Sequence, residues 1–206
     1  MNKFNHIVFD LDDTIYKEID FVKSAYKYII KYLKYKYNED CSILIESAIK
    51  KKKSLYDEIM NSYKIDFTLV KFLELYRFHY PKIYLDKKTN LFFNMLEKEQ
   101  IDFSIITDGR SITQRNKLHA LGLHKKAKKI IISEETGFEK PSDHNFKIID
   151  NEFPNESLVY IGDNPLKDFY IPNILGWKTI CLLDNGENIH NQSFDIEKKY
   201  LPKSRI

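Results

Sequence analysis

Cysteine is nearly missing from this 206-residue chain: Cys41 and Cys181 stand far apart and lack metal-ligand spacing. That excludes a disulfide framework and a thiolate zinc site. No apolar run approaches the length of a membrane span, and no positively charged start leads into an apolar stretch. The expectation is therefore a soluble protein of a reducing compartment, the cytoplasm, with no membrane partner. Charge of one sign is not in excess either. The 33 basic and 30 acidic residues leave a formal net charge of +3, which gives no basis for a dedicated nucleic-acid binder. Neither a Gly-x-x-x-x-Gly-Lys loop nor a Gly-x-Gly-x-x-Gly turn is present, so nucleotide-binding folds of those types lack support. What remains is an ordinary hydrophobic fraction of 43% in a length that suits one α/β core with a modest insertion.

Five short apolar runs read as buried strands, over residues 6–9, 103–107, 129–133, 158–162 and 179–183. Helical patterns over 90–98, 112–121, 143–151 and 165–175 alternate with the later four. That alternation predicts a doubly wound parallel sheet with helices on both faces. Gly122 and Gly176 fall where helix C-terminal glycines are expected, and Pro165 suits a first helical turn. Between residues 16 and 86 no strand candidate occurs. Phe21, Ala25, Tyr28, Ile29, Tyr32 and Leu33 recur at helical spacing behind Asp20, a candidate N-cap. Further periodic stretches cover 42–60 and 67–76, the last stopping before Pro81. This predicts an all-helical module inserted after the first strand. Its tyrosines read as packing residues and its Lys50 to Lys53 run as a solvated face. The tail after Asp184 is polar and carries no pattern.

The chemistry-bearing residues cluster at strand ends. Asp10-Leu11-Asp12-Asp13-Thr14 ends the first strand, and Thr107-Asp108-Gly109 ends the second. Lys140-Pro141 follows the third, and Gly162-Asp163-Asn164-Pro165-Leu166-Lys167-Asp168 ends the fourth. In a parallel sheet all four reach the carboxyl edge, where open α/β folds bind ligands. Acids crowded there are costly unless a cation or a reaction uses them. Carboxylates suit a hard cation, while the lysine, hydroxyl and glycine-permitted amides suit phosphate oxygens.

In order and spacing, Asp10-x-Asp12-x-Thr14, Thr107-Asp108-Gly109, Lys140-Pro141 and Gly162-Asp163-(x)4-Asp168 resemble the four motifs of the haloacid dehalogenase superfamily of phosphatases. One such motif is weak; four in order, each after a strand, are specific. The resemblance implies a Rossmann-like core in residues 1–15 and 87–206, with a helical C1-type cap in 16–86. It implies that Asp10 is the nucleophile that becomes an aspartyl-phosphate, and that Asp12 donates and then removes a proton. Magnesium is implied on Asp10, the Asp12 main-chain carbonyl and Asp163. Thr107 and the Asp108 amide are implied to bind phosphate, with Lys140 neutralising charge and Asp168 orienting Lys140 or a metal-bound water. Asp108 stands where the family often has asparagine, so only its backbone is implicated.

Asp13 reads as a solvated loop acid, Thr14 as a turn cap, Arg110 as a surface ion pair, and His119 and His124 as without function. The leading expectation is a magnesium-dependent phosphatase acting on a small phosphorylated metabolite. A phosphomutase or phosphotransferase on the same chemistry, and a catalytically idle scaffold, stay open beside it. A haloacid dehalogenase fits less well, because a displaced halide needs no proton from Asp12.

Overall fold

The structure, a computed structural model, describes residues 4–206. Residues 1–3, the start of the expected core, lie outside the described residues. Strand β1 (His6–Phe9) leads through the 10–17 loop into helices α1 (Glu18–Tyr37), α2 (Ile43–Lys50), α3 (Leu55–Ser62) and α4 (Leu69–Phe78). Then follow α5 (Lys87–Lys98), β2 (Asp102–Thr107), α6 (Ser111–Ala120), β3 (Lys129–Ile132), α7 (Ser133–Thr136) and α8 (His144–Glu152). The chain closes with β4 (Leu158–Gly162), α9 (Pro165–Asp168), α10 (Tyr170–Ile174), β5 (Lys178–Cys181), a 3₁₀ turn (Lys198–Tyr200) and β6 (Ser204–Arg205).

The strands form one parallel sheet in the order β3-β2-β1-β4-β5-β6. Side chains alternate between its two faces as the period of a strand requires. Ile7 and Phe9 of β1, Phe103 and Ile105 of β2, and Val159 and Ile161 of β4 enter one apolar cluster. Val8, Ile106, Leu158 and Tyr160 enter the other, with Phe146 of α8 and Trp177. Both faces are thus covered, which is why the strands read as continuous apolar runs. Each fully buried large side chain contributes roughly 1.5–3 kcal/mol. β1 pairs with β2 on one side and β4 on the other, so the chain reverses its winding beside β1. Ligand crevices of open α/β sheets form at the carboxyl ends flanking such a switch.

Helices α1 to α4 pack on a cluster of their own, which includes Ile29, Leu33, Leu55, Ile59, Phe67 and Phe72. Tyr16, Phe21 and Ile83, at the roots of this segment, bury instead in the sheet's first cluster. α1 starts at Glu18 with Lys17 at the cap, so Asp20 lies in the first turn and is not the N-cap. It stops at Asn38, whose left-handed φ of 58° suits asparagine. The 42–60 stretch is two helices rather than one, because Lys52 takes a φ of 51° and turns the chain. The 165–175 stretch likewise breaks at Phe169 into α9 and α10. The tail holds a sixth strand, too short for periodicity to reveal. Among the described residues no helix is long and apolar enough to cross a membrane.

Candidate active site

β1 ends at Phe9, and the Asp10 amide donates to the Ile161 carbonyl (2.9 Å), which keeps the loop in register with the end of β4. The Asp10 carboxylate is thereby set beside Asp163, which follows β4 directly. Lys140 reaches the same point from the loop after α7. Its Nζ donates to Asp10 Oδ1 (2.6 Å), Asp168 Oδ1 (2.7 Å) and the Tyr160 hydroxyl (3.2 Å). Asp168 is fully buried, and its second oxygen accepts from the Asn164 amide (2.9 Å). Its oxygens are therefore engaged within the protein, in keeping with a residue that aims Lys140. Gly162 makes this possible, since a Cβ there would lie 2.5 Å from Asp168 Oδ2.

Three carboxylates, from Asp10, Asp163 and Asp168, lie within 4.8 Å of one another, and all three residues are buried. Burial pushes Asp10 up to about 7; Lys140 opposes this and Asp168 adds to it. Burial, reinforced by Asp10 and Asp168, pushes Asp163 up to about 8. Lys140 itself loses solvation by burial, yet the charges of Asp10 and Asp168 hold it well above the ordinary lysine range. Surplus carboxylate oxygen in a dry corner is the donor set a hard divalent cation takes. The residues present fit such an ion.

Asp12 lines the same cavity but has a different set of partners. Its carboxylate accepts from Lys117 Nζ on both oxygens (2.8 Å each), from the Tyr16 hydroxyl (2.5 Å) and from Gln114 Nε2 (2.9 Å). Burial would raise its pKa, but the charge and hydrogen bond of Lys117, helped by Tyr16 and Gln114, hold it below the usual carboxylate value. Gln114 also donates to the buried Thr107 hydroxyl (2.6 Å). Gly109, at a φ of 135° that favours glycine, turns the chain so that its amide donates to Ser133 Oγ (2.9 Å).

A cavity of about 130 Å³ joins these groups, lined by Asp10, Asp12, Thr107, Lys140 and Asp163 together with Glu18, Lys167 and His190. Burial, then the charge of Asp12, raises Glu18 to about 7. A larger groove of about 800 Å³ runs along α1, lined by residues such as Tyr28, Tyr80 and Lys27. It lies away from the carboxylates and holds no comparable set.

All the residues expected at the site, Asp10, Asp12, Thr107, Asp108, Lys140, Asp163 and Asp168, therefore meet at one sheet edge. Several neighbours correct the reading of single residues. Asp13 is not a solvated acid: it is buried at a φ of 55°, and its oxygens accept from the amides of Glu18 (2.9 Å) and Ile189 (3.0 Å). The Asp108 side chain is engaged as well as its backbone, accepting from the Lys140 amide (3.0 Å) and from Lys167 Nζ (2.9 Å). The Thr14 hydroxyl points at Asp163 Oδ1 at 3.5 Å, the limit of a hydrogen bond. The tail enters the site, with Asn188 Nδ2 on Asp163 Oδ2 (3.0 Å) and Gln192 on the Asp163 carbonyl (2.6 Å). Arg110 pairs with Glu134 at the surface, and the His119 and His124 rings stack on each other away from the acids.

Sequence reasoning left out Lys117, Gln114 and Asn188. For the first two a signal existed: they lie three apart on the helix after Thr107, and so share a face.

A family model described as haloacid dehalogenase-like hydrolase matches residues 7–181. The glyceraldehyde 3-phosphate phosphatase of Methanocaldococcus jannaschii is 31% identical over 193 residues, covering 86% of this chain and 84% of that protein. YfnB of Bacillus subtilis, named as a HAD-hydrolase, is 34% identical over 85 residues, or 40% of this chain and 36% of its own. A crystal structure of YfnB, described as bound to magnesium and as revealing interdomain movement, covers 100% of this chain and 95% of its own with a TM-score of 0.61 at 23% identity. A HAD phosphatase from Thermococcus onnurineus covers 98% and 93% with a TM-score of 0.58 at 18% identity, and both likenesses are of fold. The matched residues include all four strand-end segments, and the chain belongs to the haloacid dehalogenase-like hydrolase family.

Proposed function

We propose that this protein hydrolyses a small phosphomonoester in the cytoplasm, through a covalent phosphoryl group on Asp10. The observation that carries this reading is Lys140 Nζ at 2.6 Å from Asp10 Oδ1, at the wall of a cavity that Thr107 and Asp163 share. A free Asp10 oxygen attacks phosphorus, and the bond from phosphorus to the ester oxygen breaks. Asp12, a carboxylate beside Lys117, takes up the proton that a monoanionic ester brings and passes it to the departing oxygen. Water then attacks the phosphoryl group on Asp10, Asp12 takes the proton released, and inorganic phosphate leaves with Asp10 restored. Lys140 balances the charge of Asp10 and of the phosphoryl oxygens, while Thr107 and the Asp108 amide bind those oxygens. Asp168 keeps Lys140 aimed.

Magnesium, held by Asp10, Asp163 and the Asp12 carbonyl, would supply charge neutralisation that lets an anionic substrate approach a carboxylate. Residues 16–86 are read as a cap whose first turn brings Glu18 to the cavity. A small, polar-walled cavity supports a short, polar phosphate ester, and the name of the Methanocaldococcus relative puts glyceraldehyde 3-phosphate first among candidates. Two buried, unpaired cysteines are in keeping with a reducing compartment.

The test is release of inorganic phosphate from an aryl phosphate and from a panel of three- to six-carbon phosphates, with magnesium and after chelation. Magnesium-dependent turnover, fastest on the shorter esters, is expected. No turnover of any ester by folded, magnesium-supplied protein would overturn the reading.

A further inference from the structure

Lys117 belongs to none of the strand-end segments, yet it is one of the most thoroughly buried charges in the molecule. Its side chain is 4% exposed, and among the described residues Asp12 is its only ion-pair partner. The ammonium sits 4.4 Å from the centre of the Phe21 ring, so an aromatic face from α1 closes its other side. A lysine midway along a helix ordinarily keeps its ammonium in water, and burying it is expensive unless it is well paired. Here the pairing is bidentate.

The two Asp12 oxygens each have two donors. Oδ1 accepts from Lys117 and Tyr16, and Oδ2 from Lys117 and Gln114. These donors come from two directions, α6 and the loop before α1, so the carboxylate cannot rotate without breaking bonds to both. Gln114 joins the same network to Thr107 and to the Asp108 carbonyl (3.1 Å). Asp12 is thus fixed relative to the groups expected to grip a phosphoryl oxygen.

We propose that Lys117 is a positioning residue which, with Gln114 and Tyr16, holds the Asp12 carboxylate for proton transfer to and from the reacting oxygens. This rests on the reading of Asp12 as the acid and base. Once the proton has passed to the departing oxygen Asp12 is again the carboxylate that Lys117 holds from both oxygens. When water is split in the second step the proton returns to Asp12, and the same donors keep it aligned. Among the described residues the Lys117 ammonium bonds Asp12 and neither Asp10 nor Asp163.

Two measurements test this. In Lys117→Met, steady-state turnover of alkyl phosphates should fall on the order of 10²-fold, the scale of lost general acid–base catalysis. The first release of phenolate from an aryl phosphate, whose leaving group needs no proton, should survive, and the magnesium requirement should not change. Lys117→Arg should restore part of the alkyl activity. A first phenolate release slowed as much as alkyl turnover, or no loss on either substrate, would overturn the proposal. Should Lys117→Met be insoluble, Tyr16→Phe removes one donor without changing shape and is read by the same two outcomes.

The second measurement needs no turnover, and so separates this proposal from the assignment of phosphatase activity. Melting temperatures are compared for Lys117→Met, Asp12→Asn and the double variant. Breaking a buried pair from one side strands the other charge, so the double variant should melt no lower than Lys117→Met alone. Additive losses would show that Lys117 does not serve Asp12.

Discussion

The floor of the site around Asp10 and its inner wall around Asp12 are built on the same residue type, two positions apart, yet the floor has a surplus of acid and the wall is balanced. Around Asp10 the acids outnumber the bases: Asp10, Asp163 and Asp168 converge, and Lys140 is the lysine among them. Around Asp12 donors outnumber acceptors, with one lysine, one amide and one hydroxyl on a single carboxylate. Burial acts on both, but it raises Asp10 to about 7 while the donors hold Asp12 low. The floor therefore keeps negative charge that a divalent cation and a phosphoryl group can share, whereas the wall is complete within the protein. One pentapeptide serves both because the chain leaves the strand between them, freeing the two side chains from strand alternation.

The largest effect expected on this contrast comes from the floor. Asp10→Asn should lose turnover to the limit of detection, because an amide does not form the covalent phosphoryl bond. Its circular dichroism should match that of the parent, since Lys140 keeps Asp168 as a partner. Retention of a substantial part of the parent's turnover would remove Asp10 as nucleophile.

A smaller effect tests the charge surplus itself. Asp10 and Asp163 have folded-state values of about 7 and about 8, against 3.8 for an ordinary aspartate carboxyl. Between these limits the folded state binds more protons than the unfolded state, so stability falls as pH rises, through about 7 for Asp10 and about 8 for Asp163. The slope is at most about 1.4 kcal/mol per pH unit for each group. Chelated protein should accordingly melt lower at pH 8 than at pH 6. Magnesium should raise the melting temperature and flatten that slope, because it favours the charged carboxylates. Asp163→Asn should flatten the slope without metal and need more magnesium for activity. A melting temperature that rises from pH 6 to pH 8 in chelated protein would contradict the description of the floor.

The floor was legible in the sequence and the wall was not, for physical reasons. Val8, Ile105 and Ile161 mark strands buried on both faces, and polar residues directly after such strands have only the sheet edge to occupy. Asp10, Thr107 and Asp163 could be placed on that ground. Lys117 and Gln114 stand mid-helix, where lysine and glutamine are ordinary solvent-facing residues, and their burial is set by the approach of Phe21 and Tyr16 from a segment about 100 residues earlier. Asn188 lies in a tail with no periodicity. It reaches Asp163 because β5 returns the chain to the same edge, and Asp184 then turns it by accepting from the amides of Gly186 and Asn188. The break at Lys52 escaped notice because lysine seldom takes a left-handed φ.

Trapping the phosphoryl group on its carrier tests the central claim most directly. Asp12→Asn should accumulate it, since the base for the second step is gone while an aryl phosphate still loads the first. The variant is mixed with an aryl phosphate and magnesium, quenched in acid, digested and mapped by mass spectrometry. The account predicts one acyl phosphate, on Asp10. A phosphoryl group on any other residue, or steady turnover by the parent with none trapped in the variant, would contradict it.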